Sequence, residues 1–462
     1  MVHLPIVDKQ LVALLDSVCQ LVRDAGGRAW VVGGAVRDAL LAIPVVDLDV
    51  EVHGIEAEDL ERLLAEHHAL DAVGRAFGVL KLREAALDVS LPRTESKAGL
   101  GHKGFLVQSD PHLDLTTAMS RRDFTINAMA YDPLNGELAD PFNGQQDLAN
   151  RLLRHCSPAF VEDPLRVLRG MQFVARFDLD ASPDTIALCR TIDREGLAAE
   201  RIWHEWRKLL LLGQSPSRGL AFLKATGWLA HFPDLAALVG VAQDPVYHPE
   251  GDVYTHTGLC LDAFADTRLD DETEDLVVGL AVLCHDFGKP LTTTSEEGGR
   301  IRSRGHAEKG VPVVKGFLEE LTGQPALVAQ VLPLVRDHAR PLQLFAQRSS
   351  DGAVRRLARD VGRLDRLLRV LRADCAGRGA ASAESLQAAS WLEERARSLS
   401  LLDSRPEPLV QGRHLVERGI EPGPRFSEIL NACFEAQLDG EFGDEAGGLI
   451  YLDRWLRQAD RS

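Results

Sequence analysis

Within Val45-Val46-Asp47-Leu48-Asp49-Val50-Glu51-Val52, the seven residues from Val46 onward alternate apolar and acidic side chains. A β-strand repeats its faces every second residue. Asp47, Asp49 and Glu51 therefore share one face, and Leu48, Val50 and Val52 turn the other way into a core. Carboxylates crowded on one face repel one another unless a cation sits between them. Two Mg²⁺ ions would supply that charge and clamp an in-line phosphoryl displacement. Asp88, in the strand-like run Leu87-Asp88-Val89-Ser90, is a candidate third carboxylate, in competition with Glu51.

The preceding segment, Trp30-Val31-Val32-Gly33-Gly34-Ala35-Val36-Arg37-Asp38, reads as a strand, a glycine turn and a helix start. Paired glycines let a backbone approach a ligand closely. Free N–H groups at a helix start favour an anion such as a triphosphate, and Arg37 offers a charge-assisted bond to phosphate.

Further along, the spacing predicts strands at Ala29–Val32, Val45–Val52, Val79–Leu82 and Leu87–Leu91, and helices over Leu165–Phe177 and Ile202–Leu212. A loop rich in Pro and Gly, 244–251, precedes a second helical region from Tyr254 to about Gly379, followed by an Ala- and Leu-rich helical tail. The expected organisation is four-part, with boundaries at 1–145, 146–240, 241–380 and 381–462. With 45% hydrophobic and 26% charged residues, the 462-residue chain is expected to be globular and multidomain.

No apolar run approaches the roughly 18–20 residues of a membrane span, so no membrane partner is expected. Met1–Asp16 lacks the basic and apolar regions of a signal peptide. The seven cysteines form no CxxC pair, which fits reduced thiols in the cytoplasm. The net charge of −17 weighs against a nucleic-acid partner, but local patches steer binding. Arg355, Arg356, Arg359, Arg363, Arg366, Arg369 and Arg372 recur at mostly helical spacing. They read either as a solvated helix face or as an RNA-backbone contact.

Gly33-Gly34-x-Val36-Arg37-Asp38 followed by Asp47-x-Asp49 resembles the class II tRNA nucleotidyltransferase and bacterial poly(A) polymerase superfamily. Arg121-Arg122-Asp123-Phe124-Thr125-Ile126-Asn127-Ala128-Met129-Ala130 is similar to that superfamily's next motif, and Asp140–Leu148 to its hinge. The resemblance implies an α+β fold: a mixed-sheet nucleotidyltransferase head followed by all-α neck, HD and tail domains. It makes Asp47, Asp49 and Asp88 the catalytic carboxylates, with Asp47 and Asp49 holding Mg²⁺. It makes Gly33, Gly34, Arg37, Arg122, Asp123 and Asn127 nucleotide contacts, with Arg122 and Asp123 favouring a ribose. The physics agrees, since both groups hydrogen-bond a 2′-hydroxyl.

Glu162-Asp163-Pro164-Leu165-Arg166-Val167-Leu168-Arg169 places Asp163 as a helix cap and Pro164 in the first turn. Asp163, Arg166 and Arg169 recur every three residues. Cytosine and adenine each present an amino donor beside an unprotonated ring nitrogen. A carboxylate and a guanidinium match that edge, whereas uracil and guanine would leave groups unpaired at about 1–3 kcal/mol each. The resembled superfamily uses this segment to select CTP and ATP. Glu200-Arg201-Ile202-x-x-Glu205-x-x-Lys208 resembles its last neck motif, assigned here to bracing.

His256, His285-Asp286, His306, His338 and Asp374 follow the order of the HD phosphohydrolase superfamily. Imidazole and carboxylate suit divalent transition metals, here Ni²⁺, Mn²⁺ or Co²⁺. The resemblance makes His256, His285, Asp286 and Asp374 metal ligands, with His306 and His338 completing a second metal site or contacting phosphate. It implies a phosphatase or 2′,3′-cyclic phosphodiesterase. The tail segment Gly412–Pro424 also resembles HD-containing CCA-adding enzymes. The expected function is template-independent CCA addition to tRNA from CTP and ATP. The alternatives are a poly(A) polymerase, a CC- or A-only enzyme, an alarmone synthetase/hydrolase and a non-catalytic tRNA-binding protein.

Overall fold

The computed structural model describes residues 4–71, 79–97, 105–379 and 383–459. The chain divides into two compact units. One comprises 1–209 with 218–231, the other 210–217 with 232–462. The expected boundary at 380/381 lies outside the described residues.

In the first unit a seven-stranded mixed sheet runs in the order β3-β4-β5-β2-β1-β8-β9. Its strands are β1 (Arg28–Val32), β2 (Leu48–His53), β3 (Leu70–Asp71), β4 (Val79–Leu82), β5 (Leu87–Ser90), β8 (Ala130–Asp132) and β9 (Glu137–Ala139). A separate hairpin pairs β6 (Arg93–Lys97) with β7 (Phe105–Ser109). Strand β2 runs antiparallel to β1 and parallel to β5, with Asp49 opposite both Val32 and Asp88.

Alternation sends Val50, Val52, Leu87 and Val89 to one face, under Leu11, Leu14 and Val18 of helix Lys9–Asp24 and Leu60 and Leu64 of helix Ala57–Ala65. Trp30 and Val32 turn to the opposite face and pack with Met119, Ala128 and Ala130. Helix Leu165–Phe177 begins where the sequence places it, its Leu165 N–H capped by Asp163 Oδ1 at 3.0 Å. Phe124 meets Phe160 and Phe173 edge-on, at 5.3 and 5.7 Å between ring centres.

Two expectations need correction. Strand β2 starts at Leu48 rather than Val45, so Asp47 precedes the strand. Its ladder partner on β1 would follow Val32, but the chain there turns at Gly33 (φ +74°) into helix Gly34–Leu40. Val45 keeps only an isolated bridge to Ile6.

The arginine run is not one helix face. Gly362 (φ +81°) breaks it into helices Asp351–Val361 and Leu364–Gly377. Its guanidinium groups are committed within the second unit. Arg356 and Arg359 pair with Glu435, Arg366 is bidentate on Glu274 at 2.6 and 2.7 Å, Arg369 bonds Asp275 and Arg372 bonds Glu393. Arg355 donates to the Leu438 carbonyl at 3.1 Å. Arg363 is bidentate on Asp365 at 2.6 and 2.8 Å, so all of the run but Arg355 meets an acidic partner that neutralises the charge a phosphate would need.

The second unit is helical apart from a short hairpin, Thr293–Ser295 with Ile301–Ser303. Helices Val253–Ala265, Glu272–Cys284 and Leu364–Gly377 bury Phe264, Leu280, Leu283, Leu367 and Leu371. A smaller core of Leu415, Ile429, Cys433 and Leu452 holds the C-terminal helices. No described helix is long and apolar enough to cross a membrane.

Arg366→Met is expected to destabilise the second unit by about 1–3 kcal/mol, since half-buried Glu274 loses its bidentate partner. Its tRNA affinity should stay within about twofold of wild type, because an arginine stapled to Glu274 contributes no released counterion. Urea unfolding and filter binding check both. A large loss of tRNA affinity at unchanged stability would restore the RNA-contact reading.

Candidate active site and metal centre

A cavity of about 300 Å³ in the first unit is lined by Gly34, Arg37, Asp47, Asp49, Arg169 and Lys208, among others. Asp49 also borders a second cavity of about 230 Å³, shared with Asp88, Arg121 and Arg122. The parallel register sets Asp49 beside Asp88. Lys81 Nζ bonds Asp88 Oδ2 at 2.6 Å.

Desolvation raises the Asp49 pKa. Asp88 and Asp47 push it the same way, against the pull of Arg122. Glu51 takes the other path. Fully buried, it faces His53 at 3.2 Å and Arg121 at 3.4 Å. Burial favours its neutral acid, but His53, Arg122 and Arg121 hold its pKa below the usual value. Glu51 lines neither cavity, and Asp88 lines only the second.

Gly33 is required where it stands. Its φ of +74° favours glycine, and a Cβ there would lie 2.8 Å from Arg122 Nη1. The expected nucleotide residues form a connected relay. Arg37 is buried with Nε and Nη2 on Asp38 Oδ1, and its Nη1 donates to Asn127 Oδ1 at 2.6 Å. Asn127 Nδ2 donates to Asp123 Oδ1 at 2.9 Å, and Arg169 Nε donates to Asp123 Oδ2 at 2.6 Å. Burial would raise the Asp123 pKa, but Arg169 and Asn127 outweigh it and hold it below the usual carboxylate range. Arg37 lies 4.4 Å from the Phe177 ring centre.

Of the expected nucleotide contacts, Gly34, Arg37 and Arg169 line the first cavity, whereas Gly33, Arg122, Asp123, Asn127, Asp163 and Arg166 do not. Arg166 is buried and donates to the carbonyls of Ala159 (2.8 Å) and Arg121 (2.6 Å). Asp163 Oδ2 accepts from Arg201 Nη2 at 2.8 Å. The neck motif's brace thus runs through Arg201 to Asp163 itself, and Lys208 bonds Glu205 at 2.9 Å. Sequence reasoning missed Gln172, which lines the cavity, is buried and has no hydrogen-bond partner for Oε1. An amide inside an amphipathic helix carries no periodic signal.

In the second unit, three imidazoles converge. His285, His306 and His338 each direct Nδ1 at a backbone carbonyl, of Val282 (2.8 Å), Ser303 (2.8 Å) and Val335 (2.7 Å). A carbonyl only accepts, so each Nδ1 carries the proton and each Nε2 offers a lone pair. His306 and His338 Nε2 face each other at 3.2 Å. His285 Nε2 is buried without a hydrogen bond and lies 3.2 Å from Asp286 Oδ2. Burial, reinforced by His285 and His306, pushes the His338 pKa down to about 3. Imidazole nitrogens and carboxylates gathered this closely fit a divalent cation.

Asp286, His306 and His338 form one group of metal-ligand atoms, and His256, Cys260, His285 and Asp374 another, each within 4.8 Å. The six residues in HD order are thus brought together. Gly288 permits it, because a Cβ there would lie 1.9 Å from the His306 carbonyl oxygen. Glu250, His248, Lys289, Arg378 and Cys260 were missed. Glu250 Oε1 lies 2.7 Å from His256 Nδ1, Lys289 bonds Asp286 at 2.6 Å, and Arg378 bonds Asp374. A cavity of about 290 Å³ opens beside them, bordered by Tyr247, His248, Lys289 and Arg378.

Residues 29–154 match the family model described as the poly A polymerase head domain. The chain is 37% identical over 389 residues to the multifunctional CCA protein of Nitrosococcus oceani, covering 82% of this chain and 91% of that one. The chain belongs to the multifunctional CCA protein family. Its relative in Laribacter hongkongensis is 39% identical over 361 residues, 76% of this chain and 85% of that one. The fold matches the Bacillus stearothermophilus CCA-adding enzyme solved with CTP. The TM-score is 0.67 at 23% identity, over 98% of this chain and 100% of that one. The Thermotoga maritima CCA-adding enzyme complexed with tRNA gives a TM-score of 0.59 at 20% identity, over 97% and 96% of the two chains.

Because its folded pKa is depressed, Asp123 contributes stability that is full above the ordinary carboxylate pKa of about 3.9 and lost as pH falls through the folded value. Asp123→Asn is expected to cost roughly 1–3 kcal/mol at neutral pH and to flatten the acid limb of the stability curve. Urea titrations from neutral pH to acid check this. Parallel acid limbs in wild type and variant would contradict it.

Proposed function

We propose that this chain adds C, C and A to tRNA 3′ ends from CTP and ATP without a nucleic-acid template. The observation that carries the reading is the single cavity holding Asp47 and Asp49 beside Gly34, Arg37 and Arg169, in a chain of the multifunctional CCA family. The tRNA 3′-oxygen forms a bond to the α-phosphorus of the nucleotide, and the bond to pyrophosphate breaks. Asp47 and Asp49, with Asp88 alongside, would hold Mg²⁺, which when bound supplies charge stabilisation to both the attacking and the leaving oxygen. Arg122 and Asp123 would contact the ribose. Arg37, Asn127 and Asp123 keep that wall rigid, so little reorganisation remains at the moment of reaction.

Asp163 and Arg166 would select the base, supported by the fit of a carboxylate and a guanidinium to the cytosine and adenine edges. Taking a nucleotide requires them to exchange their present partners, Arg201 and the Ala159 and Arg121 carbonyls. We assign 1–145 to the catalytic head, 146–240 to the neck, 241–380 to an HD domain and 381–462 to the tail, in a cytoplasmic enzyme of tRNA.

A second reading rests on its own observation, the proton-poor cluster of His285, His306, His338 and Asp286. There His256, His285, Asp286 and Asp374 would hold a divalent transition metal that activates water. Lys289 and Arg378 border the cavity while bonded to Asp286 and Asp374, so they position those carboxylates. This site would hydrolyse phosphomonoesters or 2′,3′-cyclic phosphates.

The test uses tRNA ending at the discriminator base. Wild type is expected to add C, C and A and to refuse UTP and GTP. Asp163→Ala and Arg166→Ala should lower the preference for CTP over UTP by roughly 5- to 150-fold, the equivalent of one unpaired group. Addition of A alone, or of a long A tract, would replace the reading with a partial enzyme or a poly(A) polymerase. Undiminished preference in both variants would remove the base-selecting role.

A further inference from the structure

Cys260 follows His256 by four residues on helix Val253–Ala265, so both side chains leave the same face. Its Sγ lies 3.3 Å from His256 Nε2. This Sγ, a ring nitrogen each of His256 and His285 and a carboxylate oxygen of Asp374 lie within 4.8 Å of one another, and all four residues are buried.

Two further observations point to a ligand. His285 is 1% exposed, its Nε2 makes no hydrogen bond, and the Val282 carbonyl fixes its proton on Nδ1. Its lone pair therefore faces this group with nothing to donate to it. His256 differs: its Nδ1 faces Glu250 Oε1 at 2.7 Å and its Nε2 faces Asp374 Oδ1 at 3.0 Å, so a metal taking Nε2 also displaces the proton shared with Asp374. A carboxylate behind a ligating imidazole fixes the ring and raises its basicity.

The approach of the sulfur is built into the backbone. A Cβ added at Gly377 would lie 2.5 Å from Cys260 Sγ. Helix Leu364–Gly377 can close on helix Val253–Ala265 there only because that residue is glycine. Asp374, three residues earlier, arrives beside the thiol.

We propose that Cys260 is a thiolate ligand of a metal site completed by His256, His285 and Asp374. The proposal rests on the HD reading above and changes its ligand set: Cys260 joins His256, His285 and Asp374 where that reading has Asp286, which groups with His306 and His338. One sulfur, two imidazoles and one carboxylate make a four-donor set suited to a thiophilic ion such as Zn²⁺ or Co²⁺ over Mn²⁺ or Mg²⁺. Binding displaces the thiol proton to solvent. Asp286, His306 and His338 remain as a neighbouring set of nitrogen and oxygen donors alone.

The test reads the metal itself. Full-length protein is stripped with chelator and given one equivalent of Co²⁺. Wild type is expected to show sulfur-to-cobalt charge-transfer absorption in the near ultraviolet. Cys260→Ser and Cys260→Ala should lose that band and bind Zn²⁺ at least about tenfold more weakly, with circular dichroism confirming the helical fold. X-ray absorption of Zn²⁺-loaded wild type, which needs no variant, should place one sulfur at roughly 2.3 Å. Cobalt bound without the band, a band that survives both substitutions, or a zinc shell free of sulfur would overturn the role of Cys260 and leave an HD site of nitrogen and oxygen donors. Failure to bind either metal would overturn both readings.

Discussion

Carboxylates and imidazoles packed side by side govern both halves of this molecule. In the head, Asp49 and Asp88 sit side by side in register on parallel strands, with Asp47 just before the strand start. In the helical unit, imidazoles whose protons are fixed on backbone carbonyls turn lone pairs toward one another and toward Asp286. Folding tolerates such groups only because strong packing elsewhere holds them, and a bound cation would make each favourable. The sheet and the helices act as frames for that geometry.

Around the head site, charge is organised differently. Asp38, Arg37, Asn127, Asp123 and Arg169 form one continuous relay. A relay with its members satisfied is rigid, and it keeps the cavity wall in one arrangement for successive nucleotides. Asp163 and Arg166 stand apart from the relay, Asp163 held by Arg201 and Arg166 by the Ala159 and Arg121 carbonyls.

Local periodicity made the head legible from sequence. Leu48, Val50 and Val52 alternate because one sheet face is buried, and helix Leu165–Phe177 followed from its apolar spacing and its cap. The start of β2 was not legible, since it depends on where β1 ends rather than on residues 45–47. The arginine run was misread for a similar reason. Glu274, Glu393 and Glu435, which neutralise it, lie far away in sequence. Glu250 and Cys260 gave no signal of their own, because their meaning depends on His256 standing between a carboxylate and a cluster. The HD residues themselves could be found from order alone.

In this reading Asp47 and Asp49 would grip the metal that drives nucleotide addition. Single-turnover incorporation of radiolabelled CTP into tRNA lacking its CCA end, by the Asp47→Asn/Asp49→Asn double variant, tests it most directly. Losing metal stabilisation worth several kcal/mol predicts a rate lower by at least about 1000-fold, with tRNA binding retained. Incorporation within about tenfold of wild type would contradict the account.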